Sequence, residues 1–316
     1  MTSPSPTRRR LEYRAALLAR CRRFFAERGV LEVDTPALRR STVTDIHIAS
    51  FQTQAVAGHP TAYLQTSPEY AMKRLLAEGS GDIYQLGKVF RQEPAGRHHQ
   101  PEFTLLEWYR IGFDDQDLIQ EVDALLHLLL GERIPLASEI LPYRQAFQRI
   151  LNIDPFTVDM PTLRALAEKH TGACNIEQDD RDTLLDLAMG LIVGPALGQQ
   201  RITFVTEYPA SQAALARLLP GHPPRAARFE AYVEGIELCN GFHELTDAHE
   251  QRRRFLSDQQ RRQQLGLASI PLDESFLAAL ATGLPDCAGV AVGFDRVLLL
   301  ASGASSLADV VSFTLD

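Results

Sequence analysis

The 316-residue chain holds only three lysines, Lys73, Lys88 and Lys169, so nearly all of its 32 basic side chains are arginines. Its four cysteines (Cys21, Cys174, Cys239, Cys287) lack any CxxC spacing, which signals neither a zinc site nor a disulfide framework. No run approaches 18 apolar residues, and the arginines of the start MTSPSPTRRR have no apolar stretch behind them, so a soluble cytoplasmic protein without membrane attachment is expected. A basic surplus is also missing. The formal charge of −8 argues against holding nucleic acid by bulk electrostatics. No glycine-rich loop of the GxxxxGK[ST] or GxGxxG kind follows any strand-like run, so a bound nucleotide would have to be held by side chains.

What is present is an ordinary globular composition, 45% hydrophobic and 23% charged, long enough for one large domain or two small ones. Residues 1–10 read as a disordered tail and 11–316 as one domain. Apolar positions 11, 15, 18, 21 and 25 mark a helix that Gly29 stops. VLEVDTP reads as a short strand ended by Pro36. AYLQTSPEYAMKRLLAEG gives a strand, a turn at Ser67–Pro68 and a helix closed by Gly79. Two strands, DIYQLGKVFRQE and FTLLEWYRIG, flank the polar loop 94–101 as a long hairpin. DDQDLIQEVDALLHLLLG is a helix with acids in its first turn. Residues 140–200 read as a helix-rich insertion. RITFVTEYP and RFEAYVEGIELCNGF restore strands, followed by a polar helix at 247–266, a helix at 274–282, the run CAGVAVGFDRVLLLASG and a strand-like tail. Regular βαβ alternation is absent, so the expected fold class is α+β, an antiparallel sheet with helices packed on it.

Four clusters carry chemistry. Arg91 and Glu93 end a strand-like run two positions apart and so share a face; a guanidinium there suits phosphate, and an exposed ion pair is the plainer alternative. His98 and His99 share a loop with Arg91 and Arg97, a set that fits a polyanion better than a metal. Glu237 and Glu244 lie seven apart with Asn240–Gly241 between them as a turn, so two converging carboxylates could coordinate magnesium; an edge strand with solvated acids is the alternative. GVAVGFDRVLLL puts Arg296 in the first turn of an apolar helix, at the positive end of its dipole, where an anion or a contact with Asp295 would account for it.

Three segments in order, RCRRFFAERGVLEVDTPAL (20–38), FRQE with the loop to PEFTLLEWY (90–109) and GVAVGFDRVLLL (289–300), together resemble the catalytic core of class II aminoacyl-tRNA synthetases, nearest the lysyl branch. The resemblance runs from about Leu11 to the C-terminus. Only ten residues precede it, where a lysyl-tRNA synthetase would place an anticodon-reading barrel, so tRNA is not the expected acceptor. TVTDIH (42–47), TSPEY (66–70), PEFTLLEWYR (101–110), ASQAALA (210–216), GIELCNGFHELTDA (235–248) and GLPDCAGVA (283–291) are similar to a narrower family, the elongation factor P β-lysine ligases. Lysyl synthetases carry Ala-Pro-Glu where this chain has Ser67-Pro68-Glu69, and Gly where it has Ala291. That methyl would reshape the pocket floor toward a shifted amino group.

The resemblance implies ATP and magnesium as cofactors. Arg91 and Arg296 would act on the phosphates as catalytic residues. Gln92, Glu93, Gln100, Phe103, Glu237, Leu238 and Gly293 would complete the ATP site, with Phe103 stacked on adenine and Arg296 on its other face or toward the γ-phosphate. Ser67, Pro68, Glu69, Tyr109, Asn240, Glu244 and Ala291 would line the amino-acid pocket, and Glu237 with Glu244 would bind the metal. It further implies elongation factor P as acceptor, a lysine-type amino acid as substrate, and a homodimer through the first segment. The competing readings are a truncated lysyl-tRNA synthetase and a non-catalytic paralogue, which would be expected to have lost the phosphate arginines. Gln92 and Gln100 stand where the family has Asn, and His98 stands where lysyl synthetases have Arg.

Overall fold

The computed structural model describes residues 5–56, 59–171 and 180–314. In chain order the elements are α1 (Pro6–Ala26), β1 (Leu31–Glu32), β2 (Leu38–Arg39), β3 (Gln52–Val56), β4 (His59–Leu64), α2 (Glu69–Ala77), β5 (Ile83–Phe90), β6 (Glu102–Ile111) and α3 (Asp115–Leu130). Then come β7 (Glu139–Pro142), α4 (Tyr143–Leu151), α5 (Met160–Thr171), α6 (Arg181–Ala188), β8 (Thr203–Pro209), β9 (Leu218–Leu219), β10 (Arg225–Val233) and β11 (Ile236–His243). The chain finishes with α7 (Ala248–Gln264), α8 (Glu274–Gly283), β12 (Cys287–Gly293) and α9 (Phe294–Ser302).

Several expectations need correction. Helix α1 begins at Pro6, inside the expected tail, because Ser5 accepts a hydrogen bond from Arg8 N and Pro6 suits the first turn. Its apolar stripe starts only where the helix meets the core, at Leu17, Cys21, Phe24 and Phe25. Residues 1–4 lie outside the described residues. Asn240–Gly241 is no turn: β11 runs straight through it, and the reversal falls at Glu234–Gly235, both with positive φ. Gly241 is bare because a Cβ there would strike the Phe229 ring. The tail ends in a 3-10 turn at Leu307–Asp309, with no strand among the described residues. Of the segment 140–200, the described residues form α4, α5 and α6, while β7 occupies its first positions and pairs with β8; residues 172–179 lie outside the described residues.

The main sheet has nine strands among the described residues, in the order β1-β5-β6-β12-β11-β10-β8-β7, with β9 beside β10. Its centre is antiparallel as expected, but β1–β5 and β7–β8 are parallel. A smaller sheet joins β2, β4 and β3.

The period of two along each strand separates the sheet's faces. Tyr84, Leu106, Trp108, Val290, Val292, Cys239 and Ala231 face α1, α3 and α9 and form the largest core. Alternate residues (Phe103, Glu107 and Tyr109 on β6, Gly289, Ala291 and Gly293 on β12, Asn240 on β11) face the other way, into a groove. Two further cores flank it. One packs α4–α6 on β8 and β10, the other packs α2, α7 and α8 beside Tyr109 and Ile83.

Candidate active site

At one end of the groove lie the arginines. Strand β5 stops at Phe90, so Arg91 and Glu93 stand just beyond it; Arg91 N still donates to Pro101 O at 2.9 Å, extending the hairpin by one rung. The Arg91 guanidinium lies over the Phe103 ring, 5.2 Å from its centroid, and its buried Nε has no hydrogen-bond partner. Burial opposes its charge, and Glu93 and Glu237 support it. A desolvated guanidinium with donors to spare is what a phosphate needs.

Arg296 gathers the loop. Its Nε donates to His98 O at 3.2 Å, Nη1 to Glu237 O at 2.8 Å, and Nη2 reaches His99 Nε2 at 2.7 Å. Burial and the neighbouring cations hold His98 and His99 below the ordinary histidine value, so His99 is neutral and accepts. The two histidines therefore position the loop against Arg296. Asp295 pairs with Arg14 instead, at 2.6 Å, and accepts from Thr104 N at 2.7 Å, a buried tie among α1, β6 and α9.

Of the other expected nucleotide residues, Gln100 and Glu93 border the same loop half-buried, and Gln92 is exposed, fixed by its N–H to Ala49 O at 2.8 Å. Leu238 points into the large core, so only its backbone reaches the groove. A Cβ on Gly293 would meet nothing of the protein closer than Arg296 Cδ at 3.5 Å, so packing does not demand this glycine.

The other end is acidic and buried. Ser67 Oγ donates to Glu107 Oε2 at 2.7 Å, and Tyr109 OH to Glu107 Oε1 at 2.7 Å. Ser67 also accepts from Glu69 N at 3.0 Å, while Pro68 opens α2 and sets Glu69 in its first turn. Lys73 Nζ lies 2.6 Å from both Glu69 Oε1 and Glu244 Oε2. Burial pushes Glu107 up to about 7, with the Ser67 and Tyr109 hydrogen bonds opposing it. Burial likewise pushes Glu244 up to about 8, against the pull of Lys73. Ala291 sits between Glu107 of β6 and Asn240 of β11 with its methyl on the groove face, and Asn240 Oδ1 accepts from Arg228 Nε at 3.2 Å. Every expected amino-acid residue is therefore at this end.

The expected metal pair is not brought together. Glu237 lies near the start of β11 and Glu244 just past its end, roughly 20 Å apart at about 3.3 Å per residue, and Glu244 is taken by Lys73. Glu237 instead stands opposite Tyr232 across the β10–β11 hairpin, its carboxylate 3.7 Å from Arg296 Nη1; desolvation and the charge of Glu230 raise its carboxyl above the ordinary range. A carboxyl raised in this way gains by meeting a divalent cation. No group of three or more His, Cys, Asp or Glu converges among the described residues, so such an ion would keep mostly water and phosphate oxygens.

Glu107, Lys73, Arg228 and Glu230 are site residues that sequence reasoning passed over. Glu107 had a signal: a lone carboxylate in the middle of the apolar strand FTLLEWYRI. Lys73 had another, as one of three lysines, four residues after Glu69 on an apolar helix.

A family model described as tRNA synthetases class II (D, K and N) matches residues 3–316. The chain belongs to that family. Within it, the chain is 53% identical over 309 residues to a protein of Klebsiella pneumoniae subsp. pneumoniae named elongation factor P--(R)-beta-lysine ligase, covering 96% of this chain and 94% of the relative. Proteins of the same name from Salmonella dublin and Salmonella paratyphi B are each 52% identical over 319 residues, covering 99% of this chain and 97% of theirs. The class II assignment accounts for the groove: a flat antiparallel floor, with its arginines on a hairpin loop and on the helix after β12.

Proposed function

We propose that this protein is an ATP-dependent, AMP-forming ligase that activates (R)-β-lysine and transfers it to the ε-amino group of a lysine on elongation factor P. One observation carries the reading. A single sheet face bears a free phosphate-grade arginine at one end and a buried triple-carboxylate pocket at the other, separated by the run from Phe103 to Tyr109, roughly 20 Å. An extended adenylate of a diamino acid spans that length.

In the first step a substrate carboxylate oxygen attacks the α-phosphorus of ATP, and pyrophosphate leaves. Arg91 stabilises the charge that builds on the α-phosphate, and Arg296 holds the departing end. Phe103 offers its ring to the adenine. Glu237 is the residue that would hold magnesium, whose charge would screen the phosphates; Glu230 is already taken by Arg228, Tyr208 and Tyr232. At the far end Glu69, Glu107 and Glu244 receive the two ammonium groups, and the Ala291 methyl limits how deep an amino group sits. In the second step the neutral acceptor amine attacks the carbonyl, an amide forms, AMP leaves and a proton is released. Alignment and electrostatics supply the catalysis, and no covalent enzyme nucleophile takes part.

The retained Arg91, Arg296, Glu237 and Glu244 favour this reading over a non-catalytic paralogue. A homodimer through α1, β1 and β2, where Leu11, Leu31 and Leu38 stand exposed, and a cytoplasmic site of action fit the same reading. No helix among the described residues is long and apolar enough to cross a membrane. The test is mass spectrometry of elongation factor P after incubation with enzyme, ATP, magnesium and each lysine isomer. The expected result is one added β-lysine, in larger yield than α-lysine. Equal labelling of tRNA and elongation factor P would overturn the protein-ligase assignment.

A further inference from the structure

Lys73 is the least expected charge in the groove. Its side chain is 1% exposed, as is that of Glu244, and its ammonium lies between carboxylates from two different elements, Glu69 of α2 and Glu244 beyond β11. The directed hydrogen bond goes to Glu69 Oε1 at 2.6 Å. Both oxygens of Glu244 are buried with no directed donor, although Lys73 Nζ is close by. The remaining groups facing this cluster are Glu107 and Tyr109 of β6 and Cys287 of β12. Among the described residues two arginines lie nearby, Arg217, whose Nε donates to Glu244 O at 3.2 Å, and Arg39, and each is paired with its own carboxylate, Asp286 and Asp273, so three carboxylates and one ammonium leave a net charge of two negatives when all are ionised.

We infer that Lys73 is a positioning residue that sets the charge of the amino-acid pocket: it offsets one of three buried carboxylates, leaving two negative charges for a substrate with two ammonium groups. The inference rests on the amino-acid pocket proposed above. A lysine-type substrate presents its carboxylate to the arginine end, where activation consumes it, so only the two ammonium groups enter the acidic end. A pocket with three uncompensated carboxylates would take up a proton before binding, and one with a single net charge would leave an ammonium unpaired in a buried site. Lys73 also lies within 5.9 Å of the Tyr109 ring centroid and 6.0 Å of that of Phe276, aromatic faces that accept a buried cation.

The idea makes a counterintuitive prediction for a double-variant cycle read by amino-acid-dependent pyrophosphate exchange. Glu69→Gln lowers the pocket to one net negative charge and should raise the amino-acid KM roughly 100-fold. Adding Lys73→Met to it returns the count to two and should recover at least roughly tenfold of that loss, with the KM for ATP within about threefold of the parent throughout. Lys73→Met alone matches the count only while one carboxylate keeps a proton, so its amino-acid KM should rise from pH 7 toward pH 9, where that of the parent falls. The double variant carries no lone buried cation and remains informative where the single lysine variant fails to fold. A double variant as poor as Glu69→Gln, or KM losses shared equally by ATP, would overturn the role assigned to Lys73. Absence of exchange in the parent enzyme with every diamino acid would instead overturn the functional reading. Proton release on β-lysine binding, measured by calorimetry in buffers of different ionisation enthalpy, then distinguishes the charge count from mere packing.

Discussion

Ser67 and Glu107 are joined by a 2.7 Å hydrogen bond that ties the start of α2 to the middle of β6. Through it, two elements some forty residues apart in sequence fix one carboxylate in the floor of the groove. Glu107 is 2% exposed, and burial holds its pKa at about 7, so its proton is lost in the range where the enzyme would work.

The pH dependence follows directly. A protonated Glu107 or Glu244 cannot pair with an ammonium, so the amino-acid KM should rise as pH falls from 8 to 6, while the KM for ATP changes little. Stability moves the opposite way in the ligand-free protein. The folded Glu107 value, about 7, exceeds its ordinary 4.5, so the folded state binds the proton more tightly and loses stability as pH rises between those values. That span corresponds to at most about 3–4 kcal/mol. Glu107→Gln should therefore melt higher than the parent at pH 8 while losing at least about tenfold in amino-acid KM. Parallel melting curves from pH 5 to pH 8 would contradict the buried carboxylate.

Arg91→Ala removes the guanidinium above Phe103 without disturbing the hairpin ladder. Adenylate formation should fall by roughly 10³-fold, in the range of losing a main transition-state donor. The melting temperature should stay within about two degrees of the parent. Near-normal pyrophosphate exchange would remove Arg91 from the phosphate site. His99→Ala is the companion variant: Arg296 loses its acceptor, and the KM for ATP should rise several-fold with the amino-acid KM unchanged.

Much of the groove was legible because chemistry-bearing residues sit in contiguous strands. The alternation in FTLLEWYR and GVAVG places Phe103, Tyr109, Ala291 and Gly293 on one face once the segments are read as strands. Arg91 and Arg296 were visible as charges at the edges of apolar runs. What the sequence hid was long-range or depended on register. Taking Asn240–Gly241 as a turn folded Glu237 back toward Glu244, whereas the true reversal at Glu234–Gly235 sets Glu237 opposite Tyr232. A glycine after an asparagine usually marks a turn, but here it makes room for the Phe229 ring. The Lys73–Glu244 contact joins residues 171 positions apart, and no local pattern encodes it.

Two small residues on β12 should respond differently to a single methyl. A Cβ on Gly289 would overlap the Tyr109 ring and Glu244 Oε1, so Gly289→Ala should cost about 1–3 kcal/mol of stability and impair amino-acid use. Ala291→Gly removes a methyl from the floor between Glu107 and Asn240 and should leave stability within about 1 kcal/mol. Its effect should appear in selectivity, as a relative gain of α-lysine over β-lysine of about tenfold in kcat/KM for exchange. An unchanged isomer ratio would remove Ala291 from the determinants of specificity.

Asp295 tests the scaffold rather than the chemistry. It neighbours Arg296 in sequence, yet its carboxylate is 3% exposed and joins Arg14 of α1 and the Thr104 amide of β6, while Arg14 Nη2 also reaches Thr104 Oγ1 at 2.6 Å. Removing its charge leaves a partly buried arginine without its counter-ion, so Asp295→Asn should destabilise the fold by roughly 3 kcal/mol. Because α9 carries Arg296, loosening this tie should also raise the KM for ATP. The paired change Arg14→Met with Asp295→Asn removes both charges and should recover part of the lost stability, since no unpaired ion then remains buried. Urea unfolding of the two single variants and the double, analysed as a cycle, measures that coupling. Strict additivity would mean that the pair contributes nothing as a pair, and that α1 is held on the sheet by Leu17, Cys21, Phe24 and Phe25 alone.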